Sequence, residues 1–379
     1  MKIAIYGTGN YALRFIRRLV DTKRRTRIMG IEYWDCEIVY FVESFPTEKS
    51  FYGKKIIQAN QIKWNDFDYL IVAIRQYEEI TEYLKSNVSH YEDNKDKIVH
   101  SLKFASNMQQ DAKASPYTSC NVIGDLSFLF DTMDITIGED MLTTRHTYSE
   151  SLIQAFFDLA QQYYGDMGTN EKIFFDIGAN IGTTSIYVKK IIAPTLRVIG
   201  IEAGKKNYDL FRANCILNDV EDIEAANIAF SNNNDSMKYI YINTNPGGSY
   251  IADMCDQNGE EILTETIDSF VQRRNIDSKE IGFIWMDTEG AESEIIEGGM
   301  STLSVKKIPL MQEYNPMIYK NKGTYDGYIK NIKKLYSNFI DVSYYLTSGL
   351  KIIKNVNELD NYTEKMQREG RDQIDVFFF

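Results

Sequence analysis

One short run constrains the fold of this 379-residue chain more than any other part of it. Phe174-Phe175-Asp176-Ile177-Gly178-Ala179-Asn180-Ile181-Gly182-Thr183-Thr184-Ser185 reads as an apolar strand ending in an acid, then a glycine turn, then residues able to open a helix. That order builds a nucleotide pocket at the C-terminal edge of a parallel strand, where glycines let a ligand approach the backbone. The spacing Asp-x-Gly-x-Asn-x-Gly differs from the dinucleotide fingerprint. It suits a ligand with ribose and adenine but no pyrophosphate, which points to S-adenosylmethionine.

The flanking sequence repeats the same alternation twice. Before the run, strands are expected at 2–6, 37–42, 69–74 and 98–102, with a helix at 78–87. Ala12, Leu13, Ile16, Leu19 and Val20 recur at helical spacing after the first strand. From Lys172 onward, strands are expected at 173–176, 197–202, 223–228, 238–242, 283–287, 308–313, 341–346 and 375–379. Helices are expected at 183–192 and 206–217 between them, and a further one at 149–164 before them. Strands alternating with helices imply parallel α/β sheets, so the fold class is α/β with two doubly wound, Rossmann-like domains. The expected boundaries are 1–105, a polar linker and cap segment at 106–170, and a second domain at 171–379.

Charge narrows the partners. A net charge of −12 argues against general affinity for nucleic acid or an anionic membrane. The basic cluster Arg14, Arg17, Arg18, Lys23, Arg24, Arg25 and Arg27 reads as a solvated helix face and loop. The four cysteines are scattered and the three histidines are not clustered, so neither a zinc site nor a disulfide framework is indicated. No apolar stretch has the length of a membrane span, and the N-terminal run reads as a buried strand, not a signal peptide. A reduced, cytoplasmic setting is the expectation.

A nucleoside needs an acid for its ribose hydroxyls and a slot for its base. Glu202 ends a strand 26 residues after Asp176, where it can meet the diol. Asn227-Ile228-Ala229-Phe230-Ser231 follows the next strand and can line the adenine slot through Ala229, or be an ordinary corner. Trp285-Met286-Asp287-Thr288-Glu289-Gly290-Ala291-Glu292 brings Asp287 and Glu289 to another strand end. Carboxylates that converge at one sheet edge repel each other unless they bind something, so Asp287 or Glu289 is expected to be functional.

These residues resemble the FkbM family in their order. The likeness rests on Asp176 to Gly182, Gly200-Ile201-Glu202, Leu210-Phe211-Arg212-Ala213-Asn214, Thr266-Ile267-Asp268-Ser269-Phe270, and Asp287 to Glu292 followed by Ile296 and Gly298-Gly299. It covers about residues 145 to 315. FkbM proteins are S-adenosylmethionine-dependent methyltransferases that act mostly on hydroxyls of sugars, glycans or polyketides. The resemblance implies a class I methyltransferase fold for the second domain and O-methylation of a bacterial-type surface glycan or its nucleotide-linked precursor. It also implies a cofactor site formed by Asp176, Gly178, Asn180, Gly182 and Glu202. Ala203 departs from the proline usual after the ribose acid, and Glu313-Tyr314-Asn315-Pro316 is similar to a family segment near the acceptor pocket.

A sugar hydroxyl is a poor nucleophile, so a base or a metal is expected. His146 in the cap is one candidate base and Asp287 is another. Asp287 with Glu289 could instead hold a divalent cation.

The first domain opens with Gly7-Thr8-Gly9-Asn10-Tyr11-Ala12 between a strand and a helix, with Glu43 at the end of the second strand. NAD or a nucleotide-sugar would use the helix start and Glu43 alike. The segment also resembles the N-terminal, nucleotide-sugar-binding domain of bacterial sugar acyltransferases. Three readings stay open for it: a nucleotide-sugar or glycan-carrier site, an NAD site, or a scaffold for dimerisation or docking. The rival functions are accordingly an NAD-dependent oxidoreductase on nucleotide-sugars and a non-catalytic glycan-assembly scaffold.

Overall fold

The structure, a computed structural model, describes residues 2–9, 12, 15–16, 37–51, 53–74, 77–101, 117–131, 134, 136–165, 172–242, 245–252 and 259–379. The chain folds as two units, Met1–Pro116 and Tyr117–Phe379. The segment expected as linker and cap divides between them. Residues 102–116 and the basic cluster from Arg14 to Arg27 lie outside the described residues, while 117–131 and 136–165 pack within the second unit.

In the first unit, β1 (Lys2–Tyr6), β2 (Glu37–Glu43), β3 (Ser50–Phe51), β4 (Lys54–Gln58), β5 (Tyr69–Val72) and β6 (Ile98–His100) form one sheet in the order β3-β4-β2-β1-β5-β6. All neighbours are parallel except β3 and β4. The central strand β1 is buried and apolar from Ile3 to Tyr6 because it is covered on both faces there. Ala4 and Tyr6 pack into one core cluster, and Ile3 and Ile5 into another.

The second unit is built on eight strands. They are β9 (Ile173–Ile177), β10 (Arg197–Ile201), β11 (Glu224–Ala226), β16 (Ile281–Met286), β17 (Leu310–Tyr314), β18 (Asn338–Asp341), β19 (Ile353–Asn355) and β20 (Ile374–Phe378). Their order is β11-β10-β9-β16-β17-β20-β18-β19, parallel from β11 to β17 and antiparallel beyond. One face carries the helices Ile267–Arg273, Glu292–Gly298, Tyr325–Leu335 and Leu359–Arg368. The other carries Glu150–Tyr164, Thr183–Tyr187, Lys205–Leu217 and Val342–Ser348, with a hairpin of β7 (Tyr117–Val122) and β8 (Leu126–Asp131). Phe156 ties the expected cap helix to the sheet: its ring meets Phe174, Phe283, Trp285 and Phe377 at centroid distances of 5.9–6.5 Å. Such edge-on pairs add to the area each ring removes from water.

Two expectations need correction. Residues 341–346 are not a strand: β18 ends at Asp341, and Val342–Ser348 is a helix. Asp341 caps it, its Oδ1 accepting from the Tyr344 amide at 2.7 Å, and that cap overrides the β-propensity of Val342 and the tyrosines. The strand expected at 223–228 is shorter, β11 alone, and a second strand, β12 (Ala229–Phe230), follows it. This second strand leaves the main sheet for a smaller one, ordered β12-β15-β13-β14, with β13 (Ser236–Ile240), β14 (Tyr250–Ala252) and β15 (Glu260–Glu265).

Candidate functional site

The chemistry gathers where β9, β10, β16 and β17 end on one edge of the main sheet. After β9 the chain turns through Gly178 (φ 88°) and Asn180 (φ 50°) to Gly182 (φ 88°). The amides of Gly178 and Ala179 both reach the Ile201 carbonyl at 2.9 Å, and the Asp287 amide donates to the Ile177 carbonyl at 3.0 Å. The turn is therefore stitched to the strands on either side. A β-carbon on Gly178 would lie 1.8 Å from the Asp287 carbonyl oxygen, so only glycine fits. At Gly182 the obstacle is the Phe211 ring, 2.1 Å away, which gives that glycine a packing role.

Asp176 lies beneath the turn, buried, with its carboxylate accepting from Ser185 Oγ at 2.5 Å. Burial raises its pKa to about 6, and the Ser185 hydrogen bonds oppose that rise. It anchors the helix that follows and does not line the cavity. Glu202 does line it. Its Oε2 accepts from the Asn180 amide and its Oε1 from the Gly204 amide, both at 2.8 Å. Burial raises its pKa to about 7, against the pull of those two donors. Asn227 Nδ2 donates to the carbonyls of Glu202 and Ala203 at 2.9 Å each, fixing the loop that follows the acid.

The space these elements border, open solvent at its mouth included, measures about 510 Å³. Gly178, Asn180, Glu202 and Ala229 line it as expected, with Ile228 and Phe230 beside Ala229. Tyr239, Ser249, Tyr250 and Ile251 complete the lining from the smaller sheet and were not foreseen. The only signal for them was the expected strand at 238–242, whose alternation puts Tyr239 and Tyr241 on one face.

Asp287, Thr288 and Glu289 line the same cavity. The turn that carries them is held by Glu292, a carboxylate only 1% exposed. Its Oε1 accepts from the Thr288 amide (2.9 Å), the Thr288 hydroxyl (2.8 Å) and the Gly290 amide (3.4 Å). Its Oε2 accepts from the Tyr319 hydroxyl at 3.0 Å, and Gln312 Nε2 donates in turn to the hydroxyls of Tyr319 (3.2 Å) and Tyr328 (3.0 Å). This network holds Glu289 in the left-handed region at φ 53°, a conformation that costs on the order of 1 kcal/mol.

Glu313, at the end of β17, joins the two acids. One carboxylate oxygen from each of Asp287, Glu289 and Glu313 lies within 4.8 Å of the others. Asp287 is exposed to solvent, while Glu289 and Glu313 are half-buried beside it. The protein around Asp287 first, and then Glu289, raises its proton affinity above the usual carboxylate range. Glu313 shifts the same way, through burial and then Asp287. Glu289 rises to about 7, through burial and then Glu292. Carboxylates packed this closely share protons rather than all ionise. As three hard oxygen donors, they also match what a divalent cation of the magnesium or calcium type takes.

His146 is half exposed, its Nδ1 3.0 Å from the Glu150 carboxylate, and it does not line the cavity. Two residues later, Tyr148 is the side chain from that loop whose phenol sits in the field of Asp287, Asp140 and Glu313, with its pKa raised chiefly by burial. In the first unit, Gly7 (φ 104°) turns against Ala73 and Ile74, and the Thr8 hydroxyl donates to the Glu43 carboxylate. A β-carbon on Gly9 would meet nothing within 4 Å among the described residues. Asn10 lies outside the described residues.

Residues 176–335 match the family model described as Methyltransferase FkbM domain, and they are a methyltransferase domain. Residues 1–99 match a different family, C2185-like, N-terminal, and not the sugar acyltransferases that segment resembles. No curated protein matches the chain. Among solved structures, the chain is similar to the methyltransferase FkbM from Methylobacillus flagellatus KT at 13% identity and a TM-score of 0.33, over 100% of this chain and 90% of that one. It is also similar to the O-methyltransferase from Bacillus cereus in complex with SAH, at 15% identity, TM-score 0.30, over 48% and 67%. An RNA methyltransferase from Salinibacter ruber in complex with S-adenosyl-L-homocysteine shares 12% identity, TM-score 0.24, over 43% and 74%. No helix among the described residues is long and apolar enough to cross a membrane.

Proposed function

We propose that this methyltransferase uses S-adenosylmethionine and methylates a sugar hydroxyl of a bacterial-type surface glycan or its nucleotide-linked precursor. One observation carries the reading: Gly178, Glu202 and the pair Asp287 and Glu289, from three different strand ends, line a single cavity. The residues fit the ligand. Glu202, held by two amides, accepts ribose hydroxyls, while Ile228, Ala229 and Phe230 offer apolar surface to adenine. Asn180 Oδ1 is buried in the cavity wall without a partner among the described residues, an acceptor able to meet a donor of the ligand.

When bound, S-adenosylmethionine supplies an activated methyl group on a sulfonium. The chain's own residues position the acceptor and take its proton. Asp287, the exposed member of the acid cluster in the cavity lining, would take the proton of the acceptor hydroxyl, with Glu289 and Glu313 beside it setting its proton affinity. The products are a methyl ether and S-adenosylhomocysteine. Orientation contributes most of the acceleration in a displacement of this kind.

Calorimetric titration with S-adenosylhomocysteine tests the cofactor site, with binding in the parent and none in Glu202→Ala as the expected pair. Absence of binding in the parent would sink the reading. The pH dependence has a defined sign. The Glu202 carboxyl must be ionised to accept the diol, so binding is full above pH 7 and weakens as pH falls through about 7. Its folded pKa lies above the unfolded value, so this group's contribution to the stability of the ligand-free protein runs the opposite way, rising as pH falls from 7 toward 4.5. The thermal shift given by S-adenosylhomocysteine should therefore shrink steadily between pH 8 and pH 6.

The closeness of Asp287, Glu289 and Glu313 favours a second reading, in which the three hold a divalent cation that orients the acceptor oxygen. The two readings part on metal removal. If the acids act as a base, exhaustive chelation leaves methyl transfer intact; if they hold a cation, it removes transfer and magnesium or manganese restores it.

A further inference from the structure

A line of buried donors runs from the smaller sheet into Glu202. The Ile242 amide donates to Ser249 Oγ at 3.0 Å, and Ser249 hydrogen-bonds the Tyr239 phenol. The phenol in turn donates to Glu202 Oε1 at 3.5 Å. Glu202, Tyr239 and Ser249 are 5%, 6% and 8% exposed, so this runs through a nearly dry interior. Gly204 completes the arrangement. Its amide binds the same Oε1, and a β-carbon there would lie 2.6 Å from the Tyr239 ring.

We propose that Tyr239 is a positioning residue for the nucleoside, its phenol fixing the Glu202 carboxylate in the orientation that receives a ribose diol. The proposal rests on the cofactor reading above. Two amides alone pin a carboxylate at its two oxygens from one side of the chain, through Asn180 and Gly204. The third donor comes from a different sheet, so it limits rotation that the amides allow. It also helps to keep the acid charged in surroundings that favour the neutral form. Ser249 lends the phenol a donor of its own, and aligned donors of this kind polarise one another. The smaller sheet is therefore part of the nucleoside site through Tyr239 and Ser249 as well as through its apolar contacts.

The test is a double-mutant cycle read by calorimetry with S-adenosylhomocysteine at pH 7.5. Tyr239→Phe should weaken binding about tenfold, in line with one hydrogen bond to a charged group, while the melting temperature of the ligand-free protein stays within about 2 °C. In a Glu202→Gln background the same substitution should change affinity less than twofold, because the phenol acts through the acid. Ser249→Ala should give a smaller loss, about threefold, that also vanishes with Glu202→Gln. It serves as the second probe if Tyr239→Phe lowers the melting temperature. Parent-like affinity in Tyr239→Phe overturns the proposal, and so does an undiminished loss in the Glu202→Gln background. A parent protein that does not bind S-adenosylhomocysteine overturns the cofactor reading itself, and the proposal with it.

Discussion

Asp287→Asn is expected to reduce methyl transfer by about 10²-fold or more and to raise the melting temperature at the same time. The two effects share one cause. Carboxylate oxygens of Asp287, Glu289 and Glu313 lie within 4.8 Å of one another, and the protein around Asp287, with the charge of Glu289, lifts its proton affinity above the ordinary carboxylate range. An amide keeps the shape and removes both the proton acceptor and the repulsion. Losing a general base costs about 10²- to 10⁴-fold. Removing a carboxylate whose folded pKa is raised relieves a penalty that is absent at low pH and grows as pH rises past the unfolded value. The gain in stability should accordingly be larger at pH 8 than at pH 5. Mass spectrometry of surface glycans from cells carrying the variant, beside melts of the purified protein, reads both. Full glycan methylation by the variant would remove Asp287 from the chemistry.

Gly178→Ala should be more damaging to the fold. The added carbon would sit 1.8 Å from the Asp287 carbonyl oxygen, at a φ of 88° that alanine rarely adopts. Neither strand end can retreat, because the Asp287 amide is bonded to Ile177 and the turn amides to Ile201. Overpacking and left-handed strain together cost about 3 kcal/mol. In a unit of this size that is roughly 6–12 °C of melting temperature. Binding of S-adenosylhomocysteine should fall beyond detection. Gly9→Ala is the matched control: a β-carbon there meets nothing within 4 Å among the described residues, so it should leave the melting temperature unchanged. A Gly178→Ala protein that melts and binds like the parent would refute the steric account.

Much of this was legible in the sequence because it depends on local order. The run from Phe174 to Ser185 specified strand, turn and helix, and Glu202 and Asp287 followed from being acids at strand ends. What escaped depends on contacts distant in sequence. Nothing near Asp341 marks it as a helix cap, and a stretch as short as Val342 to Leu346 fits either period. Tyr239 and Ser249 reach Glu202 only because β12 leaves the main sheet and a second sheet forms at the cavity. Tyr148, and not His146, lies in the field of the acids, and the sequence carries no mark that separates the two. Asp176 and Gly182 illustrate the converse: as motif residues they suggest ligand contact, while the structure gives them Ser185 and Phe211 as partners.

The Glu292 network bears on how two acids of one cavity come to differ in character. Glu202 is solvated by the protein itself, since the dipoles of the Asn180 and Gly204 amides point at its oxygens. The comparable dipoles beside Asp287 and Glu289, the amides of Thr288 and Gly290, are turned away and spent on Glu292. By claiming those donors, a carboxylate that never meets the ligand leaves its two neighbours poorly stabilised as anions. The backbone thus opposes the effect of burial at Glu202 and withholds that help from Asp287 and Glu289.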